Sequence, residues 1–324
     1  MYEHIISIQN LCKAWSEFIK GKKNKRDVAF FSFDFSENII ALHNELQGCI
    51  YKHGGYKQFN ISDPKPRTIS KASVKDRLLH HAVYRILYPF FERRYIYHSY
   101  SCRVNKGTHR AIKVLYKKYN KVSKNDTKTC WVLQCDIRKF FDSINHDILV
   151  SILKRHIKDE DVIQLLETII RSFCVQPNKG LPLGNLTSQL FVNVYMNEFD
   201  QFVEHVLKEP CYIRYADDFL FLSKNRERLV SIIPRIESFL MQKLSLKLHP
   251  KKVKIKTFSS GVDFLGWAHF TDHRTLRTST KKRMMKKMKG NKNKETYASY
   301  IGLLKHGNGY KLAEELCNIM YNKA

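Results

Sequence analysis

Apolar residues recur at a helical period from the start of the chain. Ile5, Ile8, Leu11, Trp15 and Phe18 share one face, which predicts an amphipathic helix. A basic loop follows at 21–26, and a second helical pattern over 36–52 ends near Gly54 and Gly55. Residues 57–70 contain Pro64 and Pro66 and predict extended chain, because proline pushes its predecessor out of the helical region. Helical periods return over 74–91, 108–119, 145–156, 160–173, 187–206 and 226–244. Runs with strand character lie between and after them, at 131–135, on either side of 217–218, and at 245–248, 253–258 and 262–267. A tight turn is predicted at 181–185, and the chain from Thr280 onward is helical and very basic. No internal repeat, regular strand–helix–strand alternation or Gly-rich nucleotide loop is visible. The predicted class is α+β with subdomains, not a doubly wound sheet.

Charge changes the picture. The 324 residues carry 57 Lys and Arg against 30 Asp and Glu, a formal net charge of +27. An imbalance of that size points to a polyanionic partner. No apolar run approaches a membrane span, and Glu3 sits where a signal peptide would be apolar or basic. The eight cysteines form no CxxC pair or Cys/His cluster, as expected of reduced thiols in a cytoplasmic protein. A nucleic-acid partner is therefore expected, and no membrane.

The candidate chemistry centres on Asp217 and Asp218, which stand between two apolar runs as the tip of a predicted hairpin. Such a tip can hold a hard divalent cation, although Asp is also common in turns for local reasons. A third carboxylate, Asp136, ends the apolar run 131–135. A buried, unpaired charge is costly, so a strand-end Asp implies a metal or a basic partner such as Arg138 or Lys139. Neighbouring strands would bring Asp136 to Asp217. Carboxylates paired in this way hold two Mg²⁺ ions for in-line phosphoryl transfer.

Asp136 with Phe140 and Phe141, followed by Tyr215-Ala216-Asp217-Asp218, resembles the palm motifs of reverse transcriptases. KPRTIS from Lys65, KDRLLHHAV from Lys75 and SYSCRVNKGTHRAI from Ser99 resemble the fingers. GLPLGNLTSQLFVNVYMNEFD from Gly180 resembles the template-contacting turn and helix, and DFLGW from Asp263 the primer grip. The GNLTSQ string is similar to the enzymes of diversity-generating retroelements of bacteria and phages, whereas Ala216 before the Asp pair is a feature of intron and retron enzymes. The resemblance implies a right-hand polymerase. Residues 1–110 would form the N-terminal helix and fingers, 111–150 and 186–267 the palm, 151–185 the connection, and 268–324 a short basic thumb.

By resemblance, Asp136 and Asp217 would ligate two Mg²⁺ ions, with Asp218 close by and the Ile137 carbonyl on the nucleotide side. Lys65 and Arg67 would contact the triphosphate of a dNTP, a role suited to a guanidinium fork, although a solvated basic loop is the plain alternative. Phe141 would exclude a 2′-hydroxyl, with core packing as the alternative for one of the Phe140–Phe141 pair. Gly184 would allow close approach to the nucleotide. Leu183 replaces the usual Gln and implies looser selection opposite template adenine. Lys252 would be the acid for pyrophosphate or simply a cation facing nucleic acid. Ser188, Gln189, Gly266, Trp267, Lys282, Arg283 and Lys286 would contact template and primer. The implied partners are a structured template RNA, its cDNA or primer, and a small, basic, pentameric accessory protein.

Overall fold

The computed structural model describes residues 1–62, 65–290 and 293–321, so Pro64 lies outside the described residues. Among the described residues, nine strands form three antiparallel sheets. β1 (Lys57–Ile61) and β2 (Arg67–Lys71) make an outlying hairpin. The central sheet has the order β4-β5-β3-β6, from β3 (Trp131–Asp136), β4 (Tyr212–Tyr215), β5 (Asp218–Ser223) and β6 (Lys254–Thr257). The third sheet is the meander β7 (Val262–Phe264), β8 (Trp267–His269) and β9 (Arg274–Leu276).

The central sheet is covered on both faces, which explains why its strands read as continuous apolar runs. Leu133, Cys135, Phe219 and Phe221 face a large core shared with helices Ile8–Phe18, Val74–Glu92 and Leu186–Gln201. Val132, Leu220 and Leu222 face a second core under helix Thr108–Ser123. The C-terminal helices Thr278–Gly290, Lys294–Leu304 and Tyr310–Tyr321 enclose a small core of their own around Met284, Met288, Leu304 and Leu316.

Several sequence expectations are corrected. The first helix is broken at Ser7, whose extended backbone and hydroxyl cap the next helix by accepting from the Asn10 N–H. Helix Arg26–Phe33 was not anticipated from the pattern, and the next helix, Phe35–Gln47, ends short of residue 52. The helix expected to reach 206 ends at Gln201 and continues as a π-helical turn, Phe202–Leu207. Residues 245–248 are not a strand: Ser245 turns left-handed to end helix Arg226–Leu244, and only Leu248 bridges to Ile137. The run 262–267 is a hairpin rather than one strand, because Leu265 and Gly266 both adopt positive φ between the paired Phe264 and Trp267.

Candidate functional site

Asp136 closes β3 directly opposite Asp218, the first residue of β5, in the antiparallel register. Tyr215 pairs with Asp218, so the hairpin tip consists of Ala216 and Asp217, with Ala216 left-handed at φ +56°. The tip is tied to β3 by the Ile137 N–H donating to the Asp217 carbonyl at 3.3 Å. Three aspartates thus lie at one end of neighbouring strands.

That corner is braced from beneath by a network not anticipated from the sequence. Arg214, fully enclosed on β4, donates to both oxygens of buried Asp200 at 2.7 and 2.6 Å. It also donates to Ser99 Oγ at 3.1 Å and to the Ala216 carbonyl at 3.1 Å, holding the turn's unusual backbone. Tyr212 completes the set by donating to Asp200 at 2.8 Å. An Arg within an apolar strand was the available signal, since a buried cation demands a partner.

Lys252 Nζ lies 2.5 Å from Asp136 Oδ2. The ordinary partners considered for Asp136, Arg138 and Lys139, are not the ones it has. The Asp136 carbonyl accepts from the His249 N–H at 2.8 Å, which fixes the loop carrying Lys252 against β3. Burial and the charge of Asp136 raise the Asp217 carboxyl above the usual range, opposed by Lys252 and Arg67. Asp218 is open to solvent on one side, yet desolvation, a hydrogen bond with Asp136 and the charges of Asp217 and Asp136 push it up to about 7. Burial and mutual repulsion of the carboxylates outweigh the opposing positive charge of Lys252 and Arg67.

Their donor chemistry, hard carboxylate oxygens at one sheet corner, fits a divalent cation such as Mg²⁺. Among the described residues, however, no three His, Cys, Asp or Glu side chains converge as a preformed metal cage. The corner opens into a cleft of about 260 Å³ lined by Lys65, Asp136, Asp218, Lys252, Lys254 and Arg277, among others. Cations facing carboxylates suit a polyphosphate accompanied by metal. A larger groove of about 660 Å³, bordered by Ile157, Ile163 and Glu167, includes none of these aspartates, so chemistry rather than volume selects the site.

The turn at 181–185 packs on β2. The Ser70 N–H donates to the Leu183 carbonyl at 3.1 Å, and Asn185 Nδ2 donates to the Ser70 carbonyl at 2.9 Å. Gly184 has φ +102°, and a Cβ there would come within 2.9 Å of Ile69 Cγ2, so both conformation and space require glycine. Arg67 begins β2, exposed, and its charge is felt at Asp217. Phe140 is core, while Phe141 is half-buried, and the Leu181 N–H donates to its carbonyl at 2.9 Å.

Other expected contacts are distributed differently. Ser188 and Trp267 are each only 2% exposed, so their side chains are turned into the protein. Trp267 packs under Arg274 and against Gly307 of the C-terminal segment. Gln189 is half-buried, and the Gly266 turn is open. Lys282 and Lys286 are exposed, while Arg283 is half-buried and already engaged within the protein. Among the described residues no helix is long and apolar enough to cross a membrane.

Comparison with known proteins agrees with this geometry. A family model described as reverse transcriptase (RNA-dependent DNA polymerase) matches residues 50–269. Protein YkfC of Escherichia coli is 26% identical over 254 residues, covering 67% of this chain and 65% of YkfC. The group II intron-encoded protein LtrA of Lactococcus lactis is 24% identical over 287 residues, covering 68% of this chain and 46% of LtrA. The chain therefore spans less than two thirds of either relative. Apo telomerase from Candida tropicalis superposes with a TM-score of 0.57 at 14% identity, over 83% of this chain and 57% of that one. At that identity the likeness establishes the fold, that of a right-hand polymerase.

Proposed function

The chain belongs to the reverse transcriptase family, and from that premise we propose that it copies a structured template RNA into cDNA for a diversity-generating retroelement. The observation that carries the chemistry is Asp136 set opposite Asp218, with Lys252 on Asp136 in a cation-lined cleft. Asp136, Asp217 and Asp218, with the Ile137 carbonyl, would hold two Mg²⁺ ions. When bound, these supply neutralisation of phosphate charge and a lowered pKa at the attacking hydroxyl.

The chain's own residues orient the rest of the reaction. Lys65 and Arg67 bind the triphosphate of the incoming dNTP. Phe141, the aromatic of its pair left half-buried, lies against the sugar and excludes a 2′-hydroxyl. Gly184 lets the backbone approach the nucleotide. The primer 3′-hydroxyl attacks the α-phosphorus, its proton leaves to solvent, and the α–β bridging oxygen departs with pyrophosphate. Lys252 can deliver a proton to that oxygen. Fingers and palm follow the segments set out from the sequence, and residues 268–324 act as the thumb. Their exposed Lys282 and Lys286 track the phosphate backbone, with Arg283 beside them. The location is cytoplasmic and the partner a small, basic, pentameric protein.

The retroelement reading rests on the GNLTSQ turn, and with it goes a raised error rate opposite adenine from Leu183. The similarity to LtrA, together with Ala216, favours a second reading, an enzyme of intron-derived type. Sequencing cDNA made on a mixed-base RNA template distinguishes the two. Errors concentrated at template adenines, and reduced in Leu183→Gln, support the retroelement. Errors spread evenly over the four bases support the intron type.

A further inference from the structure

A third cavity, of about 380 Å³, shares no lining residue with the carboxylate cleft. That volume lies within the range of ligand pockets, about 300–1,000 Å³. Its walls come from three segments of the chain: Arg138 and Lys139 after β3, Lys179 before the Gly184 turn, and Ser245 and Lys247 after helix Arg226–Leu244. Backbone hydrogen bonds lock these segments together. The Arg138 N–H donates to the Lys247 carbonyl at 2.9 Å, the Gly180 N–H donates to the Ile144 carbonyl at 2.9 Å, and Asn145 bridges to Lys179. The fold itself therefore gathers the four cations around one space.

Those cations are uncompensated. Arg138, Lys139 and Lys247 are exposed and Lys179 is half-buried. Among the described residues, none of the four makes an ion pair or a side-chain hydrogen bond. Asp147, which accepts from Asn178 beside Lys179, is taken by Arg171 at 2.7 Å. Among the described residues of the wall, Asp142 is the one carboxylate, so four cations face one anion. Like charges held around a cavity repel, and a bound polyanion removes that repulsion.

The wall also says what the polyanion lacks. Among the described residues, no apolar or aromatic side chain lines the cavity, so nothing there stacks a base. A guanidinium, three ammonium groups and the Ser245 hydroxyl suit a compact run of phosphate oxygens. Position supplies the source. Arg138 lies two residues after Asp136, and the Ile137 N–H between them donates to the Asp217 carbonyl at 3.3 Å. The cavity thus adjoins the backbone that shapes the carboxylate corner.

We propose that this cavity is a second polyphosphate site, separate from Lys65 and Arg67, which holds pyrophosphate leaving the copying site or a triphosphate arriving at it. The proposal rests on the reverse transcriptase reading, because that reaction releases pyrophosphate with every nucleotide added. Lys179 and Lys247 clamp the anion from two segments, and Arg138 and Lys139 hold it from the third.

The test is calorimetric binding of pyrophosphate, with EDTA present and nucleic acid absent. The wild type is expected to bind saturably, about ten-fold more tightly than it binds orthophosphate. Lys179→Gln/Lys247→Gln should weaken pyrophosphate about ten-fold or more, and Lys179→Arg/Lys247→Arg should stay within about two-fold of the wild type. Both are changes at exposed or half-buried positions, and thermal unfolding checks that the fold is kept. Titration with dTTP separates the two sources. Affinity equal to that of pyrophosphate, and lost with it in the Gln pair, assigns the site to the arriving nucleotide; affinity about ten-fold weaker assigns it to the departing product. No saturable binding by the wild type, or equal binding by the Gln pair, overturns the proposal. Loss of pyrophosphate binding in Lys65→Gln also overturns it, by putting the anion in the carboxylate cleft. So does an equal loss of affinity for a short single-stranded RNA in the Gln pair, which makes the four cations a contact to nucleic-acid backbone. Because no turnover is measured, a protein that binds pyrophosphate here but extends no primer would refute the polymerase reading and leave the site standing.

Discussion

Arg214 and Asp200 are the residues on which the carboxylate corner mechanically depends. Replacing Arg214 with Met leaves Asp200 buried without its counter-charge and releases the Ala216 carbonyl. Breaking a buried pair from one side costs about 3–5 kcal/mol, so urea unfolding should show a loss of that order for Arg214→Met. The double variant Arg214→Met/Asp200→Leu should recover at least half of it, because no charge remains stranded. The role proposed for Lys252 lies in chemistry rather than stability. Lys252→Ala should lower kcat for primer extension by about 100-fold, with template affinity nearly unchanged, if it donates the proton to pyrophosphate. A change in affinity alone would make it an ordinary phosphate contact. Asp136, Asp217 and Asp218 were legible in the sequence because a charge at the end of an apolar run has few explanations. Arg214 was equally visible, two residues before Ala216, but its partner could be found only once helix Leu186–Gln201 was placed against β4.

Long, strongly periodic elements were read closely. Helix Arg226–Leu244 has the expected bounds, and Val74–Glu92 runs one residue past its own. Such helices carry their own signals, including side-chain caps at Asn225 and Ser73. Short elements were misread where tertiary contacts decide. Nothing local distinguishes the hairpin β7–β8 from one strand until Leu265 is seen in a left-handed conformation that only its paired neighbours enforce. The burial of Trp267 against Gly307 was likewise not legible, since a motif supplies residue order but not which side chains the C-terminal segment covers. The turn at Gly184 gives the element-scale test. Gly184→Ala adds a Cβ against Ile69 at a backbone angle that disfavours it, pushing β2 and Arg67 away from the turn. Primer extension should fall at least ten-fold, mainly through KM for dNTP, with a loss in stability of about 1–2 kcal/mol.

Across the molecule, several histidines are held neutral by burial. His80 is lowered to about 3, and His81, His98 and His269 to about 4, with burial the largest cause in each. An unfolded histidine titrates near 6.5, so between that pH and the folded values the unfolded chain binds more protons. Stability is therefore complete above about pH 6.5 and is lost as pH falls toward 4, by up to about 2 kcal/mol at pH 5 for a fully buried ring such as His80. His80→Phe should flatten that part of the thermal-unfolding profile, and an unchanged pH dependence would show that the ring is not held neutral. The net charge of +27 acts at the same scale. Affinity for a primer–template should fall by about 10³-fold between 50 and 200 mM salt if some six phosphates are contacted. The central claim, however, is that the carboxylate corner polymerises DNA on an RNA template, and it is tested most directly by extension of oligo(dT) on poly(rA) with dTTP and Mg²⁺. The wild type should extend only when Mg²⁺ is present, and Asp217→Asn, folded and still binding template, should lose at least about 10³-fold in rate. An Asp217→Asn variant that extends as fast as the wild type, or a wild type that extends nothing across the salt range, would contradict it.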